Sequence, residues 1–290
     1  MSGAGAHVAA GLAAGAIDAL LAVAIVLVRR ASGVVNFAQA ALATLSAFGC
    51  ATLVAHGWRF WPAFAVTVAL SFGGGLVLAG ALVAPVRRGP VYGWTLLTVG
   101  LLLAVNGLDN WIWGPRTRPF AGPFSAHTIR LAGGAVSRRD LGTVVVAGAA
   151  LVVVAVVGRS KAGLGLRAAA ADPGAAHELG LGVGRLGALA WALAAALGAV
   201  AGVLAATAHG LDPTLLRSTL LSALAGAFLG GIDSPAGAAL GGSTVGVGLE
   251  LLATYVHGVG SSLRPVAAFA VLLAAILLRP SGLRGRWGRP

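Results

Sequence analysis

The chain of 290 residues is too apolar and too weakly charged to form an ordinary soluble domain. Hydrophobic residues make up 58% of it and charged residues only 10%, whereas a soluble domain is about 45–50% apolar and about 25% charged. The net charge of +12 does not indicate nucleic-acid binding, because the arginines stand at the edges of apolar segments, where they orient a membrane protein. The composition predicts an all-α, polytopic bundle of transmembrane helices, forming one domain over residues 1–290 in the lipid bilayer.

Apolar stretches of spanning length recur along the whole chain. A span takes about 20 residues, so about 8–10 spans fit into this length. The predicted spans, in chain order, are 8–28, 34–56, 61–84, 91–113, 141–157, 186–208, 215–232, 236–256 and 265–278. Two longer polar connections remain, at 114–140 and 158–185.

The distribution of basic residues predicts the orientation of these spans. Cytoplasmic loops of membrane proteins carry an excess of Lys and Arg. With an external N-terminal end, the cytoplasmic side receives Arg29, Arg30, the basic residues of 158–185 and the arginine-rich tail at 279–290. The arginines of the 114–140 loop fall outside and count against this orientation, so it depends on the assignment of 158–185 to the cytoplasm.

A short helix is predicted within the 158–185 connection. Asp172 can cap its first free N–H groups, Pro173 suits the first helical position, and Gly180 suits the left-handed turn that ends a helix. The resulting helix, 173–179, is too short to persist without tertiary contacts. It is therefore either a docking element for a partner protein or an ordinary capped connector.

Three segments resemble the LIV-type branched-chain amino-acid permeases of ABC importers. Residues 33–39 read Gly-Val-Val-Asn-Phe-Ala-Gln and resemble the family's G-x-x-N-F-A-H/Q motif. Residues 166–181 resemble its cytoplasmic coupling loop, and residues 230–250 resemble its glycine-rich segment with a following glutamate. The order and spacing of the three segments agree with the family from about Ser32 to Tyr255.

The resemblance implies a permease subunit that translocates branched-chain or other hydrophobic, neutral amino acids across a bacterial-type plasma membrane. The implied partners are two P-loop ATPase subunits in the cytoplasm, a second permease subunit, identical or related, and an extracytoplasmic solute-binding protein. Residues 158–185 would be the loop that seats on the ATPase. The residues expected to form this coupling surface are Gly165, Arg167, Ala168, Asp172, Pro173, Ala176, Leu179 and Gly180.

Polar residues within the spans are candidates for a translocation path, because ionisable groups in a membrane are costly and usually face the bundle interior. We assign Asn36, Phe37, Gln39 and Glu250 to this path. The alternative is structural, with hydrogen bonds from the amides and a helix-to-helix pairing of Glu250. After Gln39 the chain has two alanines where the family commonly has a glycine and a polar residue, which leaves the substrate open.

No ATP site is expected in the chain itself. Its single lysine, Lys161, is followed by alanine, so it contains no G-x-x-x-x-G-K-[S/T] loop. ATP would be bound by the partner subunits, and we expect no cofactor and no catalytic residue here. The histidines lack the i, i+4 spacing of a helical zinc site, so no metal is expected either.

Other classes of function remain possible at this point. Related permeases carry urea, amides or sugars. A secondary transporter could instead couple to protons through Asp18 or Glu250. An intramembrane enzyme would need a polar constellation in mid-span that the sequence does not contain. A purely structural membrane protein would leave the 158–185 connection without a role.

Overall fold

The computed structural model describes residues 4–83, 91–124, 127–131, 134–255 and 263–278. These residues form eleven α-helices and one β-hairpin, which confirms the predicted polytopic helical bundle. Residues 84 and 256 of the predicted spans, and the predicted cytoplasmic tail at 279–290, lie outside the described residues.

The helices follow the predicted apolar segments, with the two longer connections holding the remaining elements. The helices are α1 (Ala4–Ser32), α2 (Gln39–Ala55), α3 (Phe60–Leu78), α4 (Val91–Trp113), α5 (Arg138–Arg159), α6 (Lys161–Ala171), α7 (Pro173–Glu178), α8 (Val183–His209), α9 (Arg217–Gly230), α10 (Pro235–Tyr255) and α11 (Arg264–Leu278). A short π-helical turn, Ala79–Val83, follows α3. The hairpin pairs β1 (Thr128–Leu131) with β2 (Gly134–Ser137), Thr128 opposite Ser137.

Six helices, α1, α3, α4, α5, α8 and α10, are long and apolar enough to cross a membrane. The predicted spans 34–56 and 215–232 are only partly helical, because residues 34–38 and 215–216 at their starts belong to the irregular segments 33–38 and 210–216. Helix α9, the helical part of the predicted span 215–232, has 14 residues. At 1.5 Å per residue it measures roughly 21 Å, less than the roughly 30 Å hydrocarbon core. Irregular backbone at this depth must be covered by protein, and Asn36 and Leu216 are indeed buried.

Helices α1 and α8 form the centre of the bundle, and α4 and α5 lie at its edge. The apolar windows of α1 and α8 are 78% and 72% buried, whereas those of α4 and α5 are each 17% buried. Large apolar side chains such as Leu103 and Val152 are 66% and 61% exposed. This exposed apolar flank is the surface that a lipid bilayer or a second membrane subunit would cover.

Glycines let the central helices approach to backbone contact, as expected for membrane helices. A Cβ added to Gly15 of α1 would lie 2.6 Å from the Ser243 carbonyl oxygen of α10. A Cβ at Gly202 of α8 would collide with the carbonyl of Ala43 in α2. Close backbone packing therefore takes the place of large side-chain contacts along these two interfaces.

The contacts of α1 and α10 define the two ends of the bundle. Gly15 near the start of α1 faces Ser243, and Arg29 in its last turn pairs with Asp233 just before α10, so the two helices are antiparallel. The end that carries Arg29, α6 and α7 is called the connector end. The opposite end, with the β-hairpin and the Glu250–Arg264 pair, is called the hairpin end.

Candidate functional site

The connector begins with a tight turn from α5 into α6. Ser160 caps α6, its hydroxyl accepting a hydrogen bond from the Gly163 N–H at 3.4 Å. A Cβ at Gly163 would collide with the backbone of Gly158, so the turn depends on this glycine. Gly165, a predicted coupling residue, is buried with the Leu186 side chain of α8 only 3.2 Å from where its Cβ would lie. Helix α6 is thereby fixed against the first turns of α8.

Helix α7 has the caps that the sequence predicts. The Asp172 carboxylate accepts hydrogen bonds from the N–H groups of Gly174 and Ala175 at 2.9 and 3.0 Å, and Pro173 occupies the first turn. The helix ends at Glu178, and Gly180 follows with a φ of +77°. The predicted helix 173–179 is therefore confirmed to within one residue.

The predicted coupling residues Ala176 and Leu179 lie in different environments. Ala176 is only 2% exposed and is the one buried residue of α7. Leu179 directly after α7 is 79% exposed. A groove of about 560 Å³ lies beside the helix, lined by Pro173, Gly174, His177 and residues 182–185. Leu179 and the groove are therefore accessible to a partner, whereas Ala176 packs α7 against the rest of the chain.

The other predicted coupling residues lie on α6. Arg167 is exposed and Ala168 half-buried, and the Ala168 carbonyl accepts the hydrogen bond from the Asp172 N–H at 3.1 Å. Arg167 lines a second pocket together with Arg29, Arg30 and Asp233. The structure thus brings the whole predicted coupling set to one end of the bundle.

Asn36 and Gln39, predicted for the translocation path, form a buried hydrogen-bond network. Both are 1% exposed. The Asn36 side-chain amide donates to Gln39 Oε1 at 3.2 Å, and Gln39 Nε2 donates to the Ala194 carbonyl of α8 at 2.8 Å. Asn36 Oδ1 also accepts from the Ala38 N–H at 3.0 Å. The network joins the start of α2 to α8, and the adjacent Phe37 is half-buried.

Glu250 lies elsewhere, at the hairpin end. Its carboxylate accepts a 2.8 Å hydrogen bond from Arg264, and both side chains are about a quarter exposed, at 27% and 28%. The pair joins α10 to α11, as the structural alternative for Glu250 suggests. The structure therefore does not gather the four predicted path residues into one cluster.

Two further carboxylates, those of Asp18 and Asp109, are buried within the helices and differ in their hydrogen bonding. The Ser222 hydroxyl of α9 lies 2.7 Å from Asp18 Oδ1, and Asp18 is 1% exposed. Asp109 of α4 is fully buried, and within the described part of the chain neither of its oxygens has a hydrogen-bond partner. Among these described residues no group of three or more His, Cys, Asp or Glu side chains is arranged to hold a metal ion.

Sequence reasoning missed the partners Ser222 and Asp233. Ser222 stands among small residues of a short helix, and nothing in its surroundings marks it as the partner of Asp18. Asp233 follows the helix-ending Gly231, and an acidic residue at a basic end of the bundle was an available signal for an ion pair.

Long apolar helices with an exposed apolar flank define a multi-pass membrane protein. The family model described as branched-chain amino acid transport system / permease component matches residues 7–279. The chain belongs to this family of transport subunits, which confirms the predicted importer permease at the level of the family.

Individual relatives agree with the family. The high-affinity branched-chain amino acid transport system permease protein LivH of Escherichia coli (strain K12) is 26% identical over 298 residues, covering 95% of this chain and 94% of LivH. The permease protein BraD of the corresponding system of Pseudomonas aeruginosa is 34% identical over 131 residues, covering 45% of this chain and 42% of BraD.

The fold has a solved counterpart. A chain in the structure of PsaBC from Streptococcus pneumoniae in complex with Fab superposes with a TM-score of 0.53, covering 93% of this chain and 91% of its own. At 14% identity this likeness supports the arrangement of helices and nothing further.

Proposed function

We propose that the chain is the translocating subunit of an ATP-driven importer for branched-chain or similar neutral, hydrophobic amino acids. Two separate ATPase subunits would bind the connector end and supply the ATP site. A solute-binding protein would deliver the substrate at the hairpin end, and a second permease subunit would complete the pore. Family membership and the substrates named for LivH and BraD support the transported class.

The observation that carries the coupling role is the capped, exposed position of α7. The helix is capped at Asp172 and supported by buried Ala176, yet Leu179 is 79% exposed. An exposed leucine at the end of a short capped helix is a natural anchor for a partner's groove, because burying such a side chain contributes about 1.5–3 kcal/mol.

Contacts lead from α7 to the start of α2. The turn after α7 runs directly into α8, and α6 is packed on α8 through Gly165 and Leu186. Helix α8 in turn accepts the hydrogen bond from Gln39. A displacement of α7 by the ATPase would therefore move α8 and the Asn36–Gln39 network with it, and this is the route we propose between ATP hydrolysis and the transport path.

The first test is co-purification of the tagged chain from its native membrane in mild detergent, with mass spectrometry of the associated proteins. We expect a P-loop ATPase together with a second permease or a solute-binding protein. Repeated isolation of the well-folded chain alone would contradict the proposal, and α6 and α7 would then be an ordinary connector.

A further inference from the structure

A basic pocket lies at the connector end, beside the base of α7. It has a volume of about 290 Å³. Its lining residues come from the end of α1, from α6 and from the turn before α10, and they are Arg29, Arg30, Gly33, Arg167, Ala170, Ala171 and Asp233. We call it the arginine pocket.

The arginine pocket holds more positive charge than the chain itself neutralises. Three of its described lining residues are arginines and one, Asp233, is acidic. Arg29 forms an ion pair with Asp233. Arg30 interacts electrostatically with Asp233 and also with Arg167, the latter unfavourably. Arg29 and Arg30 are half-buried and Arg167 is exposed, and like charges held this close together favour the binding of an anion.

General preferences of membrane proteins explain only part of this cluster. Arginines in the last turn of α1 interact favourably with the carboxyl end of the helix dipole, and a cytoplasmic surface is generally basic. Neither preference explains why Arg167, from the middle of α6, converges on the two α1 arginines.

The position of the pocket favours a protein partner as the source of the anion. Its walls at Ala170 and Ala171 run directly into Asp172 and Pro173, which begin the exposed helix α7. The other wall is the end of α1, the central helix of the bundle, whose apolar window is 78% buried. The pocket is thus contiguous with the proposed ATPase-docking surface.

We propose that the arginine pocket receives an acidic side chain, aspartate or glutamate, of the ATPase subunit that docks on α7. The proposal rests on the function proposed above. The guanidinium groups of Arg30 and Arg167 would bind the carboxylate, since arginine binds carboxylates through paired hydrogen bonds. This contact would connect the ATPase directly to α1 and, through Arg29 and Asp233, to the turn before α10.

The test compares the affinity of the purified ATPase for wild-type permease and for the double variant Arg30→Gln/Arg167→Gln, both in phosphatidylcholine nanodiscs, over a series of salt concentrations. Wild-type binding is expected to weaken as salt screens the contact. The double variant is expected to bind about tenfold more weakly at low salt, with a flatter salt dependence, because a desolvated charge pair is lost.

The matched control is Arg159→Gln/Lys161→Gln, which removes the same charge from exposed positions at the connector end outside the pocket. We expect it to weaken binding less than threefold, consistent with the small contribution of exposed charges. Arg30→Lys/Arg167→Lys should keep most of the salt dependence. Because these changes leave the Arg29–Asp233 pair intact, the thermal stability of every variant should match that of the wild type.

Equal affinity and equal salt dependence of wild type and the Arg30→Gln/Arg167→Gln variant would overturn the proposal while leaving the importer function standing. Failure of the wild type to bind any ATPase would instead contradict the proposed function. A loss that occurs only in phosphatidylglycerol nanodiscs would assign the pocket to a lipid phosphate group and overturn the acidic-side-chain assignment.

Discussion

At the scale of single residues, the buried polar groups serve mainly to join distant helices. Asp18 meets Ser222 across a sequence separation of 204 residues, and Gln39 meets the Ala194 carbonyl across 155. The sequence predicts which polar residues are in the spans, because an amide or carboxylate stands out in an apolar segment. It does not predict their partners, since a main-chain carbonyl or a serine among alanines carries no signal.

The contact between Ser222 and Asp18 should contribute measurably to stability. We expect Ser222→Ala to lower the free energy of unfolding by about 1–3 kcal/mol, because it leaves a buried carboxylate oxygen without a partner. The measurement is chemical or thermal unfolding in a mild detergent.

Ser243→Ala is the matched control for this prediction, because the Ser243 hydroxyl donates to the Ala239 carbonyl of its own helix and, among the described residues, joins no second helix. An equal effect of the two substitutions would show that the Asp18–Ser222 contact contributes nothing specific.

At the scale of helices, the predicted and observed elements agree except where a helix begins later than its apolar segment. Val34, Val35, Leu215 and Leu216 are apolar and belong to the predicted spans 34–56 and 215–232, but α2 begins at Gln39 and α9 at Arg217. The breaks follow glycines with positive φ, Gly33 at +77° and Gly210 at +86°, and they are completed by long-range contacts. Leu211, for example, exchanges two 2.8 Å backbone hydrogen bonds with Arg118, which local sequence does not reveal.

The close approach of α2 and α8 leads to a prediction for Gly202. Gly202→Ala should destabilise the protein by about 1–3 kcal/mol, because its Cβ would collide with the Ala43 carbonyl and force the helices apart. Gly148→Ala, on α5 with open space around it, should be neutral or stabilising by up to about 1 kcal/mol, since alanine favours the helix.

Unfolding of both glycine variants in the same detergent checks this prediction. The account of α2–α8 packing would be wrong if Gly202→Ala were as stable as Gly148→Ala.

The exposure of Leu179 and the burial of Ala176 decide which substitution best tests the docking of the ATPase on α7. Ala176 is a predicted coupling residue, but it is buried, so Ala176→Arg would also disturb the packing of α7. Leu179→Arg is the cleaner change, because Leu179 is exposed. We expect it to preserve thermal stability and to weaken ATPase binding by at least about tenfold, reflecting the loss of an apolar anchor.

Leu164→Arg provides the matched control, since Leu164 is a 56% exposed leucine on neighbouring α6. ATPase affinity, measured for both variants in nanodiscs, should fall only for Leu179→Arg. Unchanged affinity of Leu179→Arg would remove α7 from the docking surface.

At the scale of the whole molecule, the fold places a compact coupling segment at one end of a bundle whose centre is α1 and α8. The family resemblance of residues 33–39, 166–181 and 230–250 predicts the class of protein, and the family model matches residues 7–279. The sequence does not predict that Glu250 lies at the hairpin end, far from the Asn36–Gln39 network. That separation depends on how α2 and α10 are placed around α1. The assignment of these four residues to one translocation path stays a prediction, with Glu250 at the opposite end of the bundle from Asn36 and Gln39.

The most direct test of the account is uptake of radiolabelled leucine by proteoliposomes that contain the complete complex, with its solute-binding protein and a defined supply of ATP. An ATP-driven importer should show uptake that requires ATP at the connector side, persists in the presence of a protonophore, and is abolished by Leu179→Arg but not by Leu164→Arg. Uptake that continues without ATP and collapses with the protonophore would contradict it and would indicate a proton-coupled secondary transporter.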